Sequence, residues 1–211
     1  MPPVNRPLTL ADAVDELLGT IELKECDPEV LGALRVKAEK LAKEAIPYSP
    51  GMTPQQRAFL IRAGAFTAAE LAETEDSVAR GDLRDEEHRT ELEMIAASYG
   101  ESEVVKRLGL GRSEIHDRLR AGGLYAFEAA GTTVYPKWQF TDQTDDGLLP
   151  HLAHVVRSLI EDWHPASVYG FMTVPKDSLI HRGEWQTPIQ WLLGGRSPRR
   201  IDLILEGARW R

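Results

Sequence analysis

The sequence predicts a mainly α-helical protein with a helical N-terminal region, a central winged helix–turn–helix carrying a small β-hairpin, and a helical C-terminal domain. Two patterns carry that expectation. Helix-start signals recur at Asp27-Pro28, Thr53-Pro54-Gln55-Gln56, Thr67-Ala68-Ala69-Glu70, Thr187-Pro188-Ile189-Gln190 and Ser197-Pro198. Each offers a side-chain acceptor to the unpaired N–H groups of a first helical turn. The helical spacing breaks once, where Leu124–Phe127 and Thr132–Tyr135, rich in aromatic and β-branched residues, flank Gly131.

The totals exclude several classes. Of 211 residues, 42% are hydrophobic and 27% charged, the balance of a folded, soluble chain. No apolar run approaches the roughly eighteen residues of a membrane span. Met1–Leu10 lacks the apolar centre of a signal peptide, so the expected compartment is the cytoplasm. Cys26 is the single cysteine, which excludes an internal disulfide and a multi-cysteine zinc site. Its neighbours Glu25 and Asp27 disfavour a thiolate. The net charge is −8, but it is unevenly spread. Residues 1–100 hold 11 basic and 19 acidic side chains, 101–140 hold 6 and 5, and 141–211 hold 8 and 9. Contact with nucleic acid is therefore expected to be local, with few phosphates neutralised.

In chain order, Asp27 and Pro28 open a helix with Val30, Leu34, Ala38 and Leu41 on one face, stopped by Pro47. Between the boxes at Thr53 and Thr67, residues 57–64 read as a short amphipathic helix ending at Gly64. From about Glu75 to Ser98 a charged helix carries Leu92, Ile95 and Ala96, which predicts a face turned to solvent or to a partner, with Gly81 as a weak point. Residues 1–98 thus form an acidic helical region. It serves as a dimer interface, a partner-contacting surface, or a helical domain packed on the rest.

Ser102 is placed to cap a helix whose Val104, Val105 and Leu108 share a face, and Gly109-Leu110-Gly111 turns the chain. Ser113 is placed to cap a second helix with Ile115 and Leu119 inward, closed by Gly122-Gly123. Two short helices joined by a glycine-containing turn make a helix–turn–helix. Its second helix enters the major groove, and here the outer face would carry Arg112, Ser113, His116, Asp117 and Arg120. Arginine can donate two hydrogen bonds to guanine, and serine or histidine can reach base edges or phosphates. Short helix pairs occur in many folds, but the following hairpin adds a wing, with Thr132 and Thr133 at its tip placed for phosphate or minor groove. Tyr125, Phe127, Tyr135 and Trp138 read as the packing face of that wing. The expected DNA-binding domain is 99–141.

Asp142–Gly147, polar and acidic, reads as a linker. Beyond it the pattern predicts a helix over 148–160, an irregular stretch with Pro and Gly, and two short capped helices starting at Thr187 and Ser197. Trp185 and Trp191 flank the first of these and are favoured as core, with an interface role as the alternative.

The stretch Ser102–Phe140 resembles the excisionase-like, MerR-related helix–turn–helix, through its leucine-and-glycine turn, Gly123-Leu124-Tyr125, and Pro136-Lys137-Trp138-Gln139-Phe140. That resemblance implies binding of double-stranded DNA through the second helix. Residues 187–205, TPIQWLLGGRSPRRIDLIL, are similar to the end of the toxin-binding domain of Xre/MbcA/ParS-like antitoxins, and 148–211 fit its length. That likeness implies an antitoxin and autorepressor that binds promoter DNA and covers a cognate toxin, either an NAD-degrading enzyme or a PIN-type ribonuclease. The Xre-type DNA-binding bundle has no wing, and this chain departs from it there. Trp185, Trp191, Arg196 and Arg199 are the candidate partner contacts. A homodimer is expected, because two-fold operators are met by two-fold proteins. The alternative is a stand-alone transcriptional regulator.

No catalytic site, cofactor or metal is expected. His151 and His154 share a helix face, but a metal would need Glu161, Asp162 or His164 as well. Gly109-x-Gly111 lacks the context of a nucleotide loop, and Glu86-Glu87 and Asp145-Asp146 are adjacent pairs whose side chains diverge.

Overall fold

Asp27 opens the first long helix of the computed structural model, which describes residues 14–15, 18–19, 26–43, 51–80, 82–159 and 163–209. Its carboxylate accepts from the Glu29 N–H at 2.7 Å. Helix α1 (Pro28–Lys43) buries Val30, Ala33, Leu34, Ala38 and Leu41, the stripe its spacing predicts. Pro47 lies outside the described residues. Helix α2 (Pro54–Arg62) begins with the expected capping box of Thr53 and Gln56. It buries none of its residues, however, so the predicted amphipathic helix has no covered face here, and Phe59 is 59% exposed. Thr67 and Glu70 cap α3 (Ala68–Arg80), their side chains each accepting from the other's N–H.

The described parts of the charged segment from Glu75 to Ser98 are helical nearly throughout, with α3 described to Arg80 and α4 over Asp82–Ala96, and Gly81 lies outside the described residues. The end of α4 is core, with Leu92, Met94, Ile95 and Ala96 packed with α1. The sequence reading turned this segment toward solvent or a partner because charge dominates its average. The charges crowd its first half.

The central unit follows: β1 (Ser98–Tyr99), α5 (Glu101–Leu108), α6 (Arg112–Arg120), β2 (Phe127–Ala129), β3 (Thr132–Pro136) and a 3-10 turn at Lys137–Gln139. The hairpin is antiparallel with Phe127 opposite Val134 and Ala129 opposite Thr132. Two residues at its tip, Ala130 and Gly131, have φ of 49° and 82°. Positive φ at both central residues is the type I′ turn that matches strand twist. The short β1 pairs with the other edge of β3, Ser98 opposite Pro136. It completes a three-stranded sheet that two residues of sequence did not announce. The caps also differ from expectation. Gly100 and Gly111 occupy the N-cap positions of α5 and α6, and Ser102 and Ser113 lie inside the first turns.

The predicted linker is a closed loop, with the Thr141 N–H donating to the Gly147 carbonyl at 3.0 Å. The Thr144 hydroxyl donates to the Leu148 carbonyl at 2.7 Å. Then come α7 (Leu152–Ser158), α8 (Pro165–Thr173), β4 (Lys176–His181), β5 (Glu184–Gln186), α9 (Pro188–Leu193) and α10 (Arg199–Arg209). The stretch read as irregular therefore holds a helix and a second hairpin, and the C-terminal part is not purely helical. Its strands are short and interrupted by a register shift between Lys176 and Ile180, which erases the alternation that sequence reading needs.

One apolar core runs from Val104 and Ile115 through Tyr135 and Trp138 to Leu152, Val155, Leu192 and Ile201. A second gathers α1 and the end of α4 with Ala129 and Val134 of the wing. Among the described residues no helix is long and apolar enough to cross a membrane.

Candidate nucleic-acid interface

The face of α6 is fixed from behind. Ile115 and Val104 are fully buried between the two helices, with Leu108 and Leu119 partly covered beside them. Gly109, with φ of 63°, ends α5 in the left-handed region that glycine favours, and its N–H returns to the Val105 carbonyl. Anchored in this way, α6 turns Arg112, Ser113, His116, Asp117 and Arg120 outward, and all five are exposed. Arg112 and His116 are one helical turn apart and Arg120 another, so these side chains share one exposed face.

That surface is not uniformly basic. Arg120 pairs with Asp117 within α6. Glu101, from the first turn of α5, reaches across: its Oε1 lies 2.7 Å from His116 Nε2 and its Oε2 lies 3.9 Å from Arg112 Nε. Glu101 Oε1 is buried and has no hydrogen-bond partner, so the His116 approach is a close contact without hydrogen-bond geometry. Glu114 Oε2 accepts from the Gly111 N–H at 2.7 Å and caps α6. Behind α5, Arg107 lies 4.5 Å and Lys137 5.2 Å from the centre of the Tyr99 ring.

The start of α5 has a tertiary cap. Glu29 of α1 accepts from the Ser102 N–H at 3.1 Å, across 73 residues of chain. Hydrogen bonds from the Ser102 hydroxyl and N–H, with the nearby Arg112 charge, hold the Glu29 carboxyl below its ordinary range. A Cβ at Gly100 would run into the Glu29 side chain, including its Cβ at 2.6 Å, so this close approach favours glycine there. The sequence reading missed both Glu29 and Glu101, because neither belongs to a local motif.

The two wing threonines separate. Thr132 is cross-strand from Ala129, on the face that carries Val134 into the core with α1. Thr133 is exposed and cross-strand from Glu128. Alternation along the strand puts Thr133 on the face of the buried Tyr135, but at the tip nothing covers it, and of the two threonines only Thr133 is fully exposed. The aromatics behave as packing residues. Tyr135 and Trp138 are buried, and Tyr125 stacks obliquely on Trp138 with ring centres 6.0 Å apart. Burial pushes the Tyr125 phenol up to about 12. Gln139 is fully buried, and its amide bonds both backbone groups of Tyr125, at 2.8 and 2.7 Å, and the Pro136 carbonyl. This ties the exit of the wing to the exit of α6.

In the tail, Trp191 is core as favoured, which removes it from the candidate partner contacts. Its indole N–H donates to the Ser197 carbonyl at 2.9 Å, and Arg196 and Arg200 lie over its ring at 5.1 and 5.5 Å. Trp185 is not core. It is 61% exposed, cross-strand from Ile180 on the outer face of the second hairpin. Arg199 is exposed and Arg196 half-buried. Beside them an open groove of about 580 Å³ runs between β4 and α10, lined by Ser178, Arg200, Leu203 and Ile204.

His154 Nε2 pairs with both oxygens of Asp202, at 3.0 and 2.9 Å. No group of three potential metal ligands occurs among the described residues, and Glu161 and Asp162 lie outside them. Burial raises the Cys26 thiol, and Asp27 adds to the effect against Lys137.

No family model matches the sequence, and no curated protein matches it. The chain is similar to a solved structure described as "NMR structure of Rv2175c", at 22% identity and a TM-score of 0.42, over 53% of this chain and 80% of that one. A likeness of that size bears on neither fold nor function.

Proposed function

We propose that the chain binds double-stranded DNA, with α6 in the major groove and Thr133 of the wing against the backbone. The observation that carries this reading is the surface of α6. Arg112, Ser113, His116, Asp117 and Arg120 share one exposed face, while Ile115 locks the opposite side into the core. The Asp117–Arg120 pair within this face is a surface ion pair worth at most about 1 kcal/mol, so DNA can displace it cheaply. Following the likeness of its tail, the protein serves as an antitoxin and autorepressor, a homodimer on its own promoter that covers a toxin through Trp185 and Arg199.

A second reading, a stand-alone regulator, is favoured by the continuous core between the helix–turn–helix and the tail. In that case the tail braces the DNA-binding unit. Fluorescence anisotropy with the DNA upstream of the gene tests the common part. Arg112→Ala should cost roughly 1–3 kcal/mol at the preferred sequence if the residue reads guanine, and an equal loss on every sequence would mark a phosphate contact. Absence of wild-type binding at low salt would sink both readings. Co-purification with the products of adjacent genes separates them, since a stable small partner supports the antitoxin and a lone promoter-binding homodimer supports the regulator.

A further inference from the structure

We propose that Glu101 is the positioning residue of the DNA-reading face, holding Arg112 and His116 of α6 in one arrangement and opposing their capture by phosphate at arbitrary sequence. The inference rests on the reading of α6 as the recognition helix.

Glu101 differs from the other carboxylates around it. Glu103 pairs with Lys106 and Arg107 inside α5, and Asp117 pairs with Arg120 inside α6. Glu101 spans the two helices and approaches the Arg112 guanidinium and the His116 imidazole, one turn apart. Its side chain is 25% exposed, whereas Arg112 is 69% and His116 57% exposed, so the carboxylate sits beneath the surface its partners form. Its place in the first turn of α5 suits a negative charge, and the fully buried Val104 on the same helix fixes that turn in the core.

The consequence is a bias in what the two side chains can reward. An unpaired cation gains from any phosphate. A cation already beside a carboxylate exchanges one anion for another and gains little from a random backbone. Glu101 approaches Arg112 at Nε. That leaves the terminal nitrogens of the guanidinium to make a paired contact with a base edge. Ordering the two side chains before binding also removes part of the entropy cost of ordering them on the DNA. Sequence preference is thereby raised by weakening the wrong complexes as well as by making the right contact.

The test uses the full chain and Glu101→Gln, which keeps size and removes charge. Wild type and variant are titrated over a range of salt against a random-sequence duplex and against the tightest duplex the wild type selects from a randomised pool. Glu101→Gln should bind the random duplex more tightly, with a salt slope steeper by about one phosphate, and its discrimination should fall about tenfold or more. Glu101→Asp keeps the charge but shortens the reach to Arg112 and His116. It should keep the wild-type salt slope and lose discrimination, and this result decides the matter if Glu101→Gln does not fold. A Glu101→Gln protein with altered melting but unchanged slope and discrimination overturns the proposal, because a brace between helices would do only that. Failure of the wild type to bind any duplex overturns this proposal and the DNA reading together, whereas wild-type binding that neither variant alters overturns this proposal alone.

Discussion

Trp185 and Trp191 lie on either side of the same capped turn, yet one is 61% and the other 8% exposed. The difference is geometric. Trp191 is on the inner side of α9, with two arginines over its ring and its N–H satisfied, while Trp185 stands on the outer face of β5. Trp191→Ala should cost about 3–5 kcal/mol in chemical denaturation, the usual result of emptying a buried indole site. Trp185→Ala should change stability by about 0.5 kcal/mol or less, which leaves it free for a partner. The two hairpin tips make a second residue-scale case. Ala130 and Arg182 both hold φ near +50° in two-residue turns followed by glycine. A side chain in that region costs roughly 1 kcal/mol, and asparagine tolerates it better. Ala130→Asn should therefore raise the melting temperature without changing the fold, and a lower melting temperature would mean that the alanine methyl is needed at the tip.

At the scale of elements, what could be read from sequence divides by the range of the interactions. Capping boxes at Thr53, Thr67 and Thr187 are local, and the structure has all three. The helix pair and the wing announce themselves by spacing and by Gly131. The cap of α5 does not, because Ser102 is not its N-cap and the carboxylate that serves that turn comes from Glu29 in α1. The small β1 strand and the second hairpin were invisible for related reasons, one too short and the other broken in register. Glu101 escaped notice because its partners are on a different helix. A tertiary cap has a pH signature. Glu29 titrates below its ordinary value of about 4.5 in the folded chain. Its contribution is therefore present above that value and is lost as pH falls through the lower, folded one. Glu29→Ala should cost about 0.5–1 kcal/mol at neutral pH, toward the low end because the group is well solvated. The stability gap between wild type and Glu29→Ala, followed by denaturation from pH 7 downward, should close on acidification. A gap that stays constant with pH would remove the carboxylate from the explanation.

On the scale of the whole molecule, the candidate reading unit depends on both of its neighbours. Its inner side chains Ile115, Leu124, Tyr135 and Trp138 belong to the same core as Leu148, Leu152, Val155 and Ile201 of the tail. The other face of its wing, through Ala129 and Val134, belongs with α1 and α4. Cut at 99–141, the unit would expose apolar surface on two sides and lose the cap that Glu29 supplies. Isolated chains near forty residues seldom fold without a disulfide, a metal or a partner, and the single cysteine of this protein lies outside the stretch. The excised segment should therefore show no cooperative thermal transition by circular dichroism, while the full chain melts cooperatively. Recovery of the transition on extending the segment through the tail would locate the missing support in α7 and α10. A fragment of 99–141 that melts cooperatively by itself would mean that the shared core is an accessory. In that event the α6 face is presented by the helix pair and wing alone, and the tail and N-terminal helices are free to serve partners.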